Sequence, residues 1–97
     1  MVFDLRGALL KKEEIESARL MDFEFRLRAR TMRLLAVRLG MEEGELLGQV
    51  ALKDDEAILA DLKPAHRDVA IQFREAQDEA RRQLIAERGD PTPYKLA

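Results

Sequence analysis

The stretch FRLRARTMRLLAVRLG, Phe25 to Gly40, decides the fold. It contains five arginines in sixteen residues, threaded between large apolar side chains. Such a pattern is either a basic face for nucleic acid or a structural helix whose arginines serve the chain itself. At 100° per residue, Phe25, Ala29, Met32, Leu35, Ala36 and Leu39 share one arc, and Ala18 and Met21 extend it backwards. A second, narrower stripe holds Leu20, Phe23, Leu27 and Leu34. Arg26, Arg30 and Arg33 lie together between the stripes as a ridge, while Arg28 and Arg38 fall outside it. Two apolar stripes predict a helix that contacts more than one neighbour. Asp22 before Arg26 and Glu24 before Arg28 are spaced as helix-supporting acid–base pairs, each worth a few tenths of a kcal/mol.

Outward from this stretch, glycine and proline mark the boundaries. Between Leu5 and Leu39 the only breaker is Gly7, so one long helix is expected, closed by Gly40 as a C-terminal cap. Gly44 and Gly48 weaken the next segment, and short helices are expected near 42–52 and 54–62. Pro64 suits a first helical turn, which predicts a last helix from Pro64 to Arg88. In it His66, Val69, Phe73, Ala76, Ala80 and Leu84 recur at spacings of three and four, and the alanines invite close approach by another helix. Arg67, Arg74, Asp78, Arg81 and Arg82 fall on its solvated face. No segment alternates with period two. The reading is all-α: a small four-helix bundle with a long first helix and two short middle ones. It divides into a partner-binding segment 1–18, a bundle 19–88 and a tail 89–97.

Composition narrows the chemistry. Ninety-seven residues, 46% hydrophobic and 37% charged, allow one modest core. There is no Cys, so no thiolate chemistry, disulfide or Cys-based metal site is open to it. No run approaches the roughly 18 apolar residues of a membrane span, and the N-terminus lacks the form of a secretory signal, so a cytoplasmic protein without membrane insertion is expected. The net charge of −2 is uneven: residues 19–38 carry six Arg against two acids, whereas residues 42–61 carry seven acids against Lys53. Segments of opposite sign can pack on each other, and the expected partner of the arginine ridge is this acidic stretch.

Catalysis finds little support. His66 is the single histidine and reads as a packing or capping residue in a first helical turn. Ser17, Thr31 and Thr92 sit in no nucleophile motif. Asp54, Asp55 and Glu56 lack the glycine and alternating ligands of a calcium loop and read as an acidic helix start. No phosphate-binding glycine loop is present, and no enzyme activity, metal or cofactor is expected. Arg26, Arg30 and Arg33 could touch phosphates, yet stacking aromatics and a recognition-helix turn are missing, so nucleic acid is not the expected partner. Residues 1–18 form a loose apolar face of Leu5, Leu9 and Ile15 that an isolated helix barely sustains. They either order on a partner or continue the long helix into the bundle.

These residues resemble a family. Phe3, Asp4 and Arg6 match an opening F-D-x-R; Phe25, Arg26, Ala29, Arg30, Arg33, Leu34 and Leu35 match a central F-[KR]-x-x-A-R-x-x-[KR]-L-L; His66, Val69, Phe73, Ala80, Gln83 and Leu84 match a closing pattern. Together they resemble the zeta subunit of the α-proteobacterial F-type ATP synthase, an inhibitor of the F1-ATPase, in a shortened or divergent form. The long helix is one turn shorter, residues 41–62 are fewer, Leu9 and Leu10 replace a Phe-Glu pair, and the GDPTPYKLA tail is additional. The resemblance implies a four-helix bundle whose N-terminal segment inserts between catalytic subunits of a bacterial F1 and blocks ATP hydrolysis by steric means. It implies Phe3, Asp4, Arg6, Leu9, Leu10 and Lys11 as contact residues and a location peripheral to the membrane through the synthase. A helical adaptor for another protein, or an RNA-binding helix using Arg26, Arg30 and Arg33, are the alternatives.

Overall fold

The structure, a computed structural model, describes the backbone of residues 5–90 and the side chains of residues 18–90. It is all helical: α1 spans Leu5–Arg38, α2 Leu47–Val50, α3 Asp55–Leu62 and α4 Val69–Arg88. The expected bundle with a long first helix and two short middle ones is what forms. Among the described residues no helix is long and apolar enough to cross a membrane.

α1 is the spine. At 1.5 Å per residue its 34 residues measure about 50 Å, without a proline and with Gly7 alone as a weak point. Gly40 ends it as expected. With φ at +77°, it lets the Met41 amide donate to the Ala36 carbonyl (2.8 Å) and its own amide donate to Val37 (3.1 Å). These two bonds satisfy carbonyls of the last turn in a Schellman arrangement, and Met41 packs back onto the core.

α4 runs antiparallel along α1 and makes the principal interface. Pairings fix the direction: Arg38 meets Gln72 and Glu75, Arg30 meets Gln83 and Glu87, and Asp22 meets Arg88. As numbers fall along α1 they rise along α4. Val69, Ala76, Ala80 and Leu84 are buried, Phe73 is half-buried on the core, and the expected outer residues Arg67, Arg74, Asp78, Arg81 and Arg82 are exposed or nearly so. Ala76 and Ala80 are fully buried, which lets the two helices approach closely.

The core divides into two clusters. The larger joins Met32, Leu35 and Ala36 of α1 to Leu46, Val50, Ile58, Val69 and Ala76. The smaller joins Phe23 and Leu27 to Ala80 and Leu84. Half-buried Leu34 packs against both. Burying each large aliphatic side chain contributes about 1.5–3 kcal/mol. Thr31 is 1% exposed between the clusters, and its hydroxyl donates to the Leu27 carbonyl at 2.6 Å, which removes the cost of burying it.

Two boundaries differ from expectation. The second helix is a single turn, Leu47–Val50, with turns at 43–46, which contain Gly44, and at 51–52; Gly48 lies inside the turn of helix, where glycine weakens its extension. The last helix starts at Val69 rather than Pro64. Pro64 instead follows the C-cap of α3, Lys63, where proline terminates a helix as readily as it begins one. His66 therefore lies in the α3–α4 connection rather than in a helical first turn; its amide donates to Leu62 and its carbonyl accepts from Val69. A third boundary holds chemically: Asp54 is the N-cap of α3, accepting from the Ala57 amide at 2.8 Å, with Asp55 and Glu56 in the first turn. Of the tail 89–97, Gly89 caps α4 with φ at +83°, and residues 91–97 lie outside the described residues.

Candidate functional site

The six candidate contact residues of the N-terminus divide. Phe3 and Asp4 lie outside the described residues. Arg6, Leu9, Leu10 and Lys11 belong to the α1 backbone, while their side chains lie outside what the structure describes. Arg88, the last residue of α4, meets Asp22, and α1 continues as helix from there back to Leu5.

The two apolar stripes of α1 both exist, and each is partly empty. Along the C-terminal half, Met32, Leu35 and Ala36 are buried in the cluster that α2 and α3 complete. Further back on the same arc, Met21 is 70% and Phe25 66% exposed. Periodicity puts both in a packing stripe. They are uncovered because α2 and α3, at four and eight residues, are too short to follow α1 that far. The second stripe packs at Phe23, Leu27 and Leu34, and Leu20 remains 41% exposed at its end.

The arginines also rearrange. Of the ridge, only Arg33 takes the expected partner in the acidic segment, Glu43 at 3.3 Å. Arg26 pairs within its helix with Asp22 at 3.0 Å. Arg30 reaches α4, where it binds both carboxylate oxygens of Glu87 and the Gln83 side-chain oxygen. The hydrogen bond from Arg30 holds the Glu87 carboxyl below the usual glutamate range; desolvation opposes it, and the charges of Arg30 and Arg88 add to the lowering. The acidic segment is bound chiefly by an arginine that periodicity leaves outside the ridge. Arg28 is directed to Asp55 (2.6 Å) rather than to Glu24, and also donates to the main-chain carbonyls of Val50 and Lys53. One planar guanidinium thus holds the end of α2, the connection after it and the start of α3. Local spacing carries no signal for this, since the partners are 22 to 27 residues away.

Two shallow grooves, each of about 260 Å³, flank Phe25. One runs between α1, α3 and α4, past Arg28, Asp55, Phe73 and Gln77. The other runs along the ridge between Leu47 of α2 and Leu84, Glu87 and Arg88 of α4, over Phe25, Arg26, Ala29, Arg30 and Arg33. Four guanidinium groups (Arg26, Arg30, Arg33, Arg88) line this second groove with Glu87, and they also pair with Asp22 and Glu43 beside it, one positive charge over among the groups named. The groove's described lining contains no Ser, Thr or His. Among the described residues no group of three or more His, Asp or Glu side chains is placed to hold a metal ion. No protein-family model, curated protein or solved structure matches the chain.

Proposed function

We propose that this chain is a regulatory protein of the F1-ATPase inhibitor type, which acts by inserting its N-terminal segment between catalytic subunits and blocking ATP hydrolysis. Phe3, Asp4, Arg6, Leu9, Leu10 and Lys11 are the contact residues, and the bundle from residue 19 to 88 is the scaffold. On this reading the protein is bacterial and cytoplasmic, peripheral to the membrane through the synthase, and needs no chemistry of its own. The observation that carries the reading is the reach of α1: its backbone remains helical from Asp22, where α4 ends beside it, back to Leu5. A helix rooted in a bundle and running on beyond its partner has the form of an insertion arm.

Hydrolysis by cognate F1 tests this. The full-length chain is expected to lower the rate. A chain lacking residues 1–18 is expected to melt cooperatively and leave the rate unchanged. Undiminished hydrolysis with saturating full-length chain ends the proposal. A second reading, an adaptor for a different protein, is favoured by the exposed Met21 and Phe25, and recovery of a non-ATPase complex on the intact chain would support it.

A further inference from the structure

The groove over the arginine ridge has a composition that specifies what lies in it. Its apolar lining is Phe25, Ala29, Leu47 and the buried Leu84. Its charged lining is Arg26, Arg30 and Arg33 on α1 with Glu87 and Arg88 on α4. Phe25 stands two-thirds exposed on the arc that, two and three turns later, is buried as Met32, Leu35 and Ala36. Where α2 and α3 cover that arc it is core; where they end it is open.

We propose that this groove docks an acidic amphipathic helix from a partner protein, seating an apolar side chain on Phe25 and Ala29 while its carboxylates engage Arg26, Arg33 and Arg88. A helix laid along α1 here continues the covering that α2 provides further on, the helix-in-groove mode of recognition. The charge selects an acidic occupant, because four guanidinium groups line the groove against three paired carboxylates, and Arg26, Arg33 and Arg88 are left close to half exposed. A second copy of the chain is the competing occupant, and it is distinguished by the oligomeric state. A single-stranded nucleic acid would find one aromatic side chain to stack on and arginines already facing carboxylates. Those internal pairs do not block an acidic helix. Arg26, Arg33 and Arg88 are each close to half exposed, and pairs of that kind contribute about 0–1 kcal/mol, so incoming carboxylates exchange with Asp22 and Glu43 at little cost. Covering Phe25 then supplies the net gain. The described residues that line the groove all lie after residue 18, so its test is independent of the one for F1 inhibition.

The test uses the intact chain and two fluorescein-labelled helical peptides of roughly 18 residues with the same Leu stripe, one with Glu and one with Lys at the flanking positions. Fluorescence anisotropy is expected to show binding to the Glu peptide and none to the Lys peptide. Phe25→Ala is expected to weaken it about tenfold, and Arg26→Glu with Arg33→Glu to reverse the preference toward the Lys peptide. All three side chains are exposed, and circular dichroism checks that the variants keep their helicity. The proposal is overturned if the two peptides bind alike or not at all, if Phe25→Ala binds the Glu peptide unchanged, or if labelled oligouridylate binds more tightly than the Glu peptide. It is equally overturned if sedimentation finds a dimer that Phe25→Ala dissolves, since the occupant is then a second copy.

Discussion

Replacing Arg28 with alanine should cost more than replacing Arg26, Arg33 or Arg38, because it removes three charge-assisted hydrogen bonds at once. The guanidinium donates to the Asp55 carboxylate and to the carbonyls of Val50 and Lys53, and its side chain is 29% exposed. A hydrogen bond to a charged group contributes about 1.5–3 kcal/mol. Water can reach part of this site and replace some of each bond, so the sum falls to roughly 2–3 kcal/mol. For a chain of this size that lowers Tm by about 10–20 °C. Asp55→Ala loses only one of the three contacts, together with a favourable charge in the first turn of α3, and should cost roughly 1 kcal/mol. Arg28→Lys keeps the charge but cannot span three acceptors, and should recover less than half of the loss. Urea denaturation of the two single variants and the double variant gives the coupling energy directly. Equal losses for Arg28→Ala and Asp55→Ala, with a double variant no worse than either, would refute the clamp, because the two carbonyl bonds would then contribute nothing.

The geometry sets three further outcomes. Glu87 is held deprotonated to lower pH when folded, so its pairing with Arg30 contributes stability above the unfolded carboxyl range and loses it as pH falls through the folded value. Glu87→Gln should therefore lower the urea midpoint at pH 7 and make no difference in acid below the folded value; a gap that persists there contradicts this. Met32 is fully buried in the larger cluster, and Met32→Ala should cost about 2–5 kcal/mol, enough to leave much of a chain this small unfolded by circular dichroism at 37 °C. Gly40→Ala meets open space but forces a side chain into the left-handed region, and should cost roughly 1–2 kcal/mol in thermal melts.

Elements set by local rules are legible in the amino-acid sequence. The absence of breakers from Ala8 to Leu39, the closing Gly40 and the regular stripe of α4 each act within a few residues. They disclose α1, its cap and the buried Val69, Ala76, Ala80 and Leu84 directly. The same holds for the pairing of Asp22 with Arg26 and for the acidic start of α3. Pro64 is ambiguous because proline fits both the start of a helix and the residues just past one, and only packing decides between them. Periodicity also gives a stripe without its length of cover. Met21 and Phe25 share an arc with Met32 and Ala36, and the difference in their burial depends on how far α2 and α3 extend. At the candidate site the ridge of Arg26, Arg30 and Arg33 is visible as a row, yet its partners lie on three different parts of the chain. The role of Arg28 is hidden because two of its acceptors are main-chain carbonyls, which no side-chain pattern encodes.

Leu34 is the side chain that joins the two core clusters, and this has a kinetic consequence. The smaller cluster rests on Phe23, Leu27, Ala80 and Leu84, without support from α2 or α3. It can open while the larger one stays closed, so native-state hydrogen exchange should divide α1 within its own length. Amides around residues 20–24 and 81–85 should exchange through a partial opening of lower free energy. Those around 33–37 and 73–77 should wait for global unfolding. The N-terminal length of the spine would then be hinged on the looser of two foldons, able to re-aim without the whole bundle coming apart.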